Sequence, residues 1–232
     1  MAYLGQFYRT YALDFWGFGE SGKKFENYTV KAYVSMVDQF MEQLGIVNAP
    51  LVGHSMGGTV SLSVAINHPE RVQKVAVIGS PVVGSSLSFL LKLFANRSFG
   101  WLVYNNLWAF RLSYHLLAPF YTRDKRWPAM MDHDLSRVSL ESFVLSIASL
   151  RDTDLRPLIP QVKIPALGMF GNKDIVVSSN QWKLLQEGIP HARIERYPHA
   201  GHFIMLDEPK LFIETLQDFL DCETSDNDGA GL

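Results

Sequence analysis

Gly53-His54-Ser55-Met56-Gly57 reads G-x-S-x-G, with Gly58 behind it. The short apolar run Ala49-Pro50-Leu51-Val52 precedes it, and a helical stretch from Thr59 to Asn67 follows. A strand that turns sharply into a helix holds the central residue in a strained conformation and lifts its side chain above the sheet edge. Glycine on both flanks relieves the crowding of such a turn. The hydroxyl of Ser55 is therefore presented as a nucleophile, provided that a base and an acid lie elsewhere in the chain. The bland alternative is a glycine-rich strand-to-helix turn.

Working outward, the chain alternates. Tyr11 to Phe15 reads as a buried strand that ends in a glycine loop, Gly17 to Gly22. Thr29 to Leu44 reads as a helix, with Val30, Tyr33, Val34, Val37, Phe40, Met41 and Leu44 on one face and Gly45 at its end. Further strands are predicted at Leu51-Val52, Val72 to Ile78, Ala166 to Phe170 and Arg193 to Tyr197. Helices are predicted at Trp182 to Glu187 and Pro209 to Leu220, the last with Pro at its first turn. Strands alternating with helices imply an α/β fold, a mostly parallel sheet with helices on both faces. Residues 85–157 break the rhythm. They hold no clear strand and many aromatics, and read as a helical insertion. Residues 221–232 read as an acidic, disordered tail.

Bulk properties narrow the classes. The chain has 232 residues, 47% of them hydrophobic and 19% charged, a composition that suits one globular unit. A net charge of −2 argues against general nucleic-acid binding. The single cysteine, Cys222, cannot form an internal disulfide. No basic, apolar and cleavage regions follow one another at the start, as a signal peptide would require. The longest apolar stretch, Leu87 to Val103, is broken by Lys92, Asn96 and Arg97 and makes a poor membrane span. A cytoplasmic protein is the expectation.

Two motifs in the first glycine loop mislead. Gly17-Phe18-Gly19-Glu20-Ser21-Gly22 matches G-x-G-x-x-G, the dinucleotide fingerprint. That fingerprint needs a helix opening at the glycines, so that its N-terminus meets the pyrophosphate. Here Lys23 to Tyr28 intervene. Gly17 to Lys23 also matches most of a P-loop, but Lys24 stands where Ser or Thr should hold magnesium. A tight turn near the rim of the site is the favoured reading. No metal-ligand spacing stands out, and no cofactor is called for.

Ser55 needs an imidazole to take its proton and a carboxylate to orient that imidazole. Of seven histidines, His54 neighbours the serine and points elsewhere in an elbow. His68 ends a helix, His115 and His133 lie in the insertion, and His191 sits in a turn. That leaves His199 and His202 in the loop after the last strand, at the sheet edge where ligand-facing residues gather. For the acid, Asp174 in Gly171-Asn172-Lys173-Asp174 follows a strand on the same edge. Its bland alternative is a turn aspartate.

With these motifs together, the chain resembles the α/β-hydrolase superfamily. Gly53 to Gly58, Gly171 to Asp174 and Ala200-Gly201-His202 look like that family's nucleophile, acid and histidine motifs, in its order. Asp14-Phe15-Trp16-Gly17-Phe18-Gly19-Glu20-Ser21 resembles its loop after the fourth strand, and His202 to Pro209 is similar to its final motif. The resemblance runs from about Tyr11 to Leu220, the insertion apart. It implies that His202, not His199, is the base, that Ser55 is the nucleophile and that Asp174 is the orienting acid. It makes the backbone N–H of Met56 an oxyanion donor, and His54 and Trp16 candidate substrate contacts. It divides the chain into a hydrolase core, 1–84 with 158–220, and a cap, 85–157.

The family draws a second oxyanion donor from a His-Gly loop after its third strand, and no such motif precedes Asp14. If Tyr11 to Phe15 is the family's fourth strand, strands one to three are missing. We expect an N-terminally shortened hydrolase whose fourth strand stands across a gap from the fifth or is forced against it. The expected chemistry is hydrolysis of a small, largely apolar carboxylic ester through an acyl-enzyme. The alternatives are carbon–carbon bond hydrolysis by the same residues, and a non-catalytic binding protein on a hydrolase frame. The aromatic insertion suggests an apolar small-molecule pocket. Residues 85–131 carry six bases against one acid, which makes the cap a candidate for weak contact with a membrane surface.

Overall fold

The computed structural model describes residues 3–23 and 27–222. Four strands form one parallel sheet, β1 Ala49–His54, β2 Val72–Ile78, β3 Ala166–Gly171 and β4 Arg193–Tyr197, in the order β1-β2-β3-β4. Helix α1 (Val30–Gln43) starts where expected, because the Thr29 side chain accepts from the Ala32 N–H and caps it. Helix α2 (Met56–Asn67) joins β1 to β2. Five helices separate β2 from β3: α3 Phe89–Phe94, α4 Arg97–Asn105, α5 Leu107–Tyr121, α6 Trp127–Leu135 and α7 Leu140–Arg151. Helix α8 (Gln181–Gly188) joins β3 to β4, and α9 (Ile204–Asp207) and α10 (Pro209–Asp221) follow β4.

The sheet is covered on both faces, and strand alternation shows how. Val75 and Val77 of β2, with Ala166 and Phe170 of β3, face one apolar cluster with α1, α2 and α8. Ala76, Ile78, Leu167 and Met169 face a second, with Leu216 and Phe219 of α10. Leu51 of β1 packs on the first cluster, while Val52 is exposed on the other side. Lys74 of β2 is buried, and its ammonium donates to the carbonyls of Phe219 (3.0 Å), Leu220 (2.9 Å) and Cys222. These carbonyls end α10, where the helix dipole is negative and its acceptors lack helical donors.

One predicted strand is corrected. Tyr11 to Phe15 is not a strand, and the sheet begins at β1. A strand needs a neighbour to take its N–H and C=O groups, and this segment pairs with none among the described residues. Its side chains pack on α1 instead. Tyr11 meets Phe40 edge-on, and Phe15 stacks on Tyr33 at 4.5 Å. The segment neither stands across a gap in a sheet nor is forced against β1 as a strand. At the other end, α10 runs through Asp221, so the tail starts later than expected. Residues 223–232 lie outside the described residues.

Candidate active site

Ser55 joins β1 to α2 at φ 53°, ψ −122°. It is the one non-glycine residue with positive φ among the described residues. Such a conformation costs about 1–3 kcal/mol and persists only where its surroundings enforce it. They do so here by lack of room. A Cβ on Gly53 would strike the Gly57 backbone, and one on Gly58 would strike the Ser80 hydroxyl and the Gly53 carbonyl. A Cβ on Gly57 would meet open space, so the crowded pair is Gly53 and Gly58 rather than the two glycines of the pentapeptide. The Ser55 N–H donates to Ile78 O at 2.8 Å, which ties the elbow to β2.

Asp174 and His202 meet. The His202 Nδ1–H donates to Asp174 Oδ2 at 2.8 Å, and both side chains are almost fully buried. The other carboxylate oxygen, Oδ1, accepts from the N–H groups of Val176 (2.8 Å) and Val177 (2.9 Å). The aspartate is thus held by its own loop and offers one oxygen to the imidazole. This bond fixes the tautomer and leaves Nε2 with its lone pair, the form that can take a proton. Among the described residues no hydrogen bond joins the Ser55 hydroxyl to His202. Such contacts tighten when substrate binds. His199 is exposed. The Met56 N–H, at the first residue of α2, is one of the helix's unpaired N-terminal donors.

His54 turns toward His202. Its Nε2–H donates to the backbone carbonyl of His202 at 3.0 Å, and the two rings lie 4.6 Å apart. Burial, with the imidazole of His202 beside it, lowers the His54 pKa from 6.5 to about 3. As pH falls, protons then bind the unfolded chain before the folded one. Stability is full above about 6.5 and is lost progressively down to about 3. His54→Gln keeps a donor without the titration. Thermal melts at pH 7 and 4.5 should show the parent chain losing more stability than this variant. Parallel losses would count against the linkage. Trp16, the other candidate contact, packs on the main core with Phe15, Phe18 and Met56, and its carbonyl accepts from the Tyr33 hydroxyl.

Several supporting residues were not singled out from the sequence. Gly79 has φ 54°, and a Cβ there would lie 3.3 Å from His202 Nδ1 and 3.4 Å from Asp174 Oδ2. Asp207 clamps the histidine loop. Its Oδ2 accepts from the Gly201 N–H (2.8 Å), and its Oδ1 accepts from the Thr122 hydroxyl and the Arg123 N–H (both 2.7 Å). Asp207 therefore ties the segment between α5 and α6 to the loop of His202. Phe203 lies against His54 (5.4 Å between ring centres) and against Trp127 of α6 (5.6 Å). The glycine loop closes on itself, with the Gly17 N–H donating to Gly22 O. Helix α1 opens at Val30 rather than at those glycines.

A family model described as alpha/beta hydrolase fold matches residues 2–209. A 2-hydroxy-6-oxo-6-phenylhexa-2,4-dienoate hydrolase of Burkholderia cepacia is 30% identical over 195 residues. That match covers 79% of this chain and 66% of the Burkholderia protein, so the chain spans just under two thirds of that relative. A 2-hydroxy-6-oxononadienedioate/2-hydroxy-6-oxononatrienedioate hydrolase of a Pseudomonas species is 26% identical, covering 94% of this chain and 79% of that one. Among solved structures, a bromoperoxidase from Bacillus anthracis superimposes with a TM-score of 0.77 at 24% identity, over 88% of this chain and 79% of that one. An esterase from Exiguobacterium antarcticum gives 0.74 at 24% identity, over 89% and 79%. Among the described residues no helix is long and apolar enough to cross a membrane.

Proposed function

Because this chain belongs to the alpha/beta hydrolase fold family, we propose that it is a serine hydrolase that cleaves a small, largely apolar carboxylic ester through an acyl-enzyme. The observation that carries this reading is the buried Asp174–His202 hydrogen bond, made on the sheet that carries Ser55 on its strained elbow. In the first step Ser55 Oγ bonds to the ester carbonyl carbon while its proton passes to His202 Nε2. The carbonyl oxygen becomes an oxyanion and accepts from the Met56 N–H. Asp174 stabilises the imidazolium without taking its proton. Collapse of the intermediate breaks the carbon–oxygen bond, and the leaving alkoxide takes the proton from Nε2. Water then adds to the acyl carbon and gives a proton to His202. A second collapse releases the acid and returns the proton to Ser55. The helices of residues 85–157 act as the cap over this site, and His54 steadies the base through its backbone. The partner is a small molecule, and none of these steps calls for a metal or cofactor.

A fluorophosphonate probe tests the reading. It should label the folded chain at Ser55, and labelling should vanish in Ser55→Ala. Folded protein that resists the probe would favour the non-catalytic alternative. A second reading keeps the same three residues and hydrolyses a carbon–carbon bond of a diketone-like substrate. It is favoured by the similarity to the Burkholderia and Pseudomonas dienoate hydrolases. Chromogenic esters assayed beside 2-hydroxy-6-oxodienoates separate the two by relative kcat/KM.

A further inference from the structure

Helix α5 is apolar on two sides, and the described residues cover only one of them. Phe110 packs edge-on against Phe94 of α3, and Tyr114 is buried against Trp127 of α6. The opposite side carries Trp108, Leu112, Leu116 and Phe120, which are 72%, 53%, 69% and 70% exposed. Their spacing of four residues sets them in one stripe along the helix. Trp101, Leu102 and Tyr104 of α4 are also more than half exposed. A helix that is hydrophobic all round is one that gets buried, and exposure on this scale marks a contact surface.

The charge around the stripe selects what it meets. Arg97, Arg111, Arg123, Lys125 and Arg126 are exposed. Residues 85–135 hold six bases against three acids, Asp124, Asp132 and Asp134. Ion pairs join Asp124 to Arg126 and Asp132 to Arg111, so the positive excess rests on Lys92, Arg97, Arg123 and Lys125 against Asp134. A second copy docked face to face would set cation against cation, which an interface avoids. An anionic bilayer accepts both the rings and the cations, since Trp and Tyr sit well at the headgroup level and Arg and Lys meet lipid phosphate. We infer that α4 and α5 form a docking face for anionic lipid, on which α5 lies in the interfacial plane without crossing it.

The purified chain is mixed with vesicles of phosphatidylcholine, alone or with phosphatidylglycerol. Co-sedimentation is expected with the anionic vesicles, together with a blue shift of tryptophan emission. Both should weaken as salt rises. The triple variant Trp108→Ser, Leu116→Ser, Phe120→Ser should lose at least about tenfold in vesicle affinity. Its circular dichroism and fluorophosphonate labelling should match the parent, because the three side chains are exposed. The inference fails if the parent does not bind, if the triple variant binds as well as the parent, or if neutral vesicles bind as tightly as anionic ones. It fails also if the stripe instead drives self-association, seen as a dimer by sedimentation velocity that the triple variant abolishes. Labelling at Ser55 is independent of every one of these outcomes.

Discussion

Replacing Asp174 by Asn is expected to lower turnover of a chromogenic ester about 10⁴-fold, with the chain still folded. The reason lies in how the two carboxylate oxygens are used. Oδ1 accepts from two backbone N–H groups, at Val176 and Val177. The oxygen of an asparagine amide must stay there, because an NH₂ group in that place would face two donors. The NH₂ is then the group presented to His202 Nδ1. It can only donate, so Nδ1 must become the acceptor and the proton moves to Nε2. An imidazole protonated at Nε2 cannot receive the Ser55 proton. Position, burial and packing are nearly unchanged, while the base holds its proton on the wrong nitrogen. The measurement is kcat, with a thermal melt to show folding. A loss below about tenfold would remove Asp174 from the proposed role.

Replacing Lys74 by Met should lower stability by about 3 kcal/mol, or about 6–12 °C in melting temperature. Methionine keeps a stem of similar bulk on β2 but carries no donor. The carbonyls of Phe219, Leu220 and Cys222 would lose their shared ammonium. Its favourable place at the negative end of α10 would also be lost. Lys74→Arg keeps the charge and should recover part of the loss. A Lys74→Met melt within about 2 °C of the parent would show that these contacts contribute little.

How much could be read in advance depended on how local each cause was. β2 and β4 were legible to the residue, because β2 is a largely apolar run stopped by Gly79 and Pro81, and β4 is a short segment set between Pro190 and Pro198. The elbow was legible because glycine is demanded by sterics within a few residues of Ser55. Asp174 and His202 each follow a strand, so their shared edge was legible from the alternation. Tyr11 to Phe15 shows the limit. Its composition suits a strand, but a strand also needs a neighbour, which no local pattern reports. Gly79, Asp207 and Lys74 act across the fold. Asp207 joins residues 122–123 to residue 201, and Lys74 joins β2 to the end of α10. Their partners are distant in sequence, so spacing carried no signal. The aromatics of residues 85–157 suggested a pocket, since composition tells that a segment is apolar but not which side chains share a face or whether anything covers them.

The plain strand order has a consequence for how the protein becomes competent. Ser55 is carried by the first half of the sheet, β1-α2-β2. Asp174 and His202 are carried by the second half, β3-α8-β4. The halves meet along one short ladder, Val75 to Ile78 against Ala166 to Met169. The helices α3 to α7 separate these segments along the chain, so the ladder forms only by closing a long loop, at an entropic cost that local pairing does not bear. Each half can start to bury its own apolar side chains alone. The proposed triad belongs to neither, and is assembled only when the later half of the chain has closed onto the earlier one.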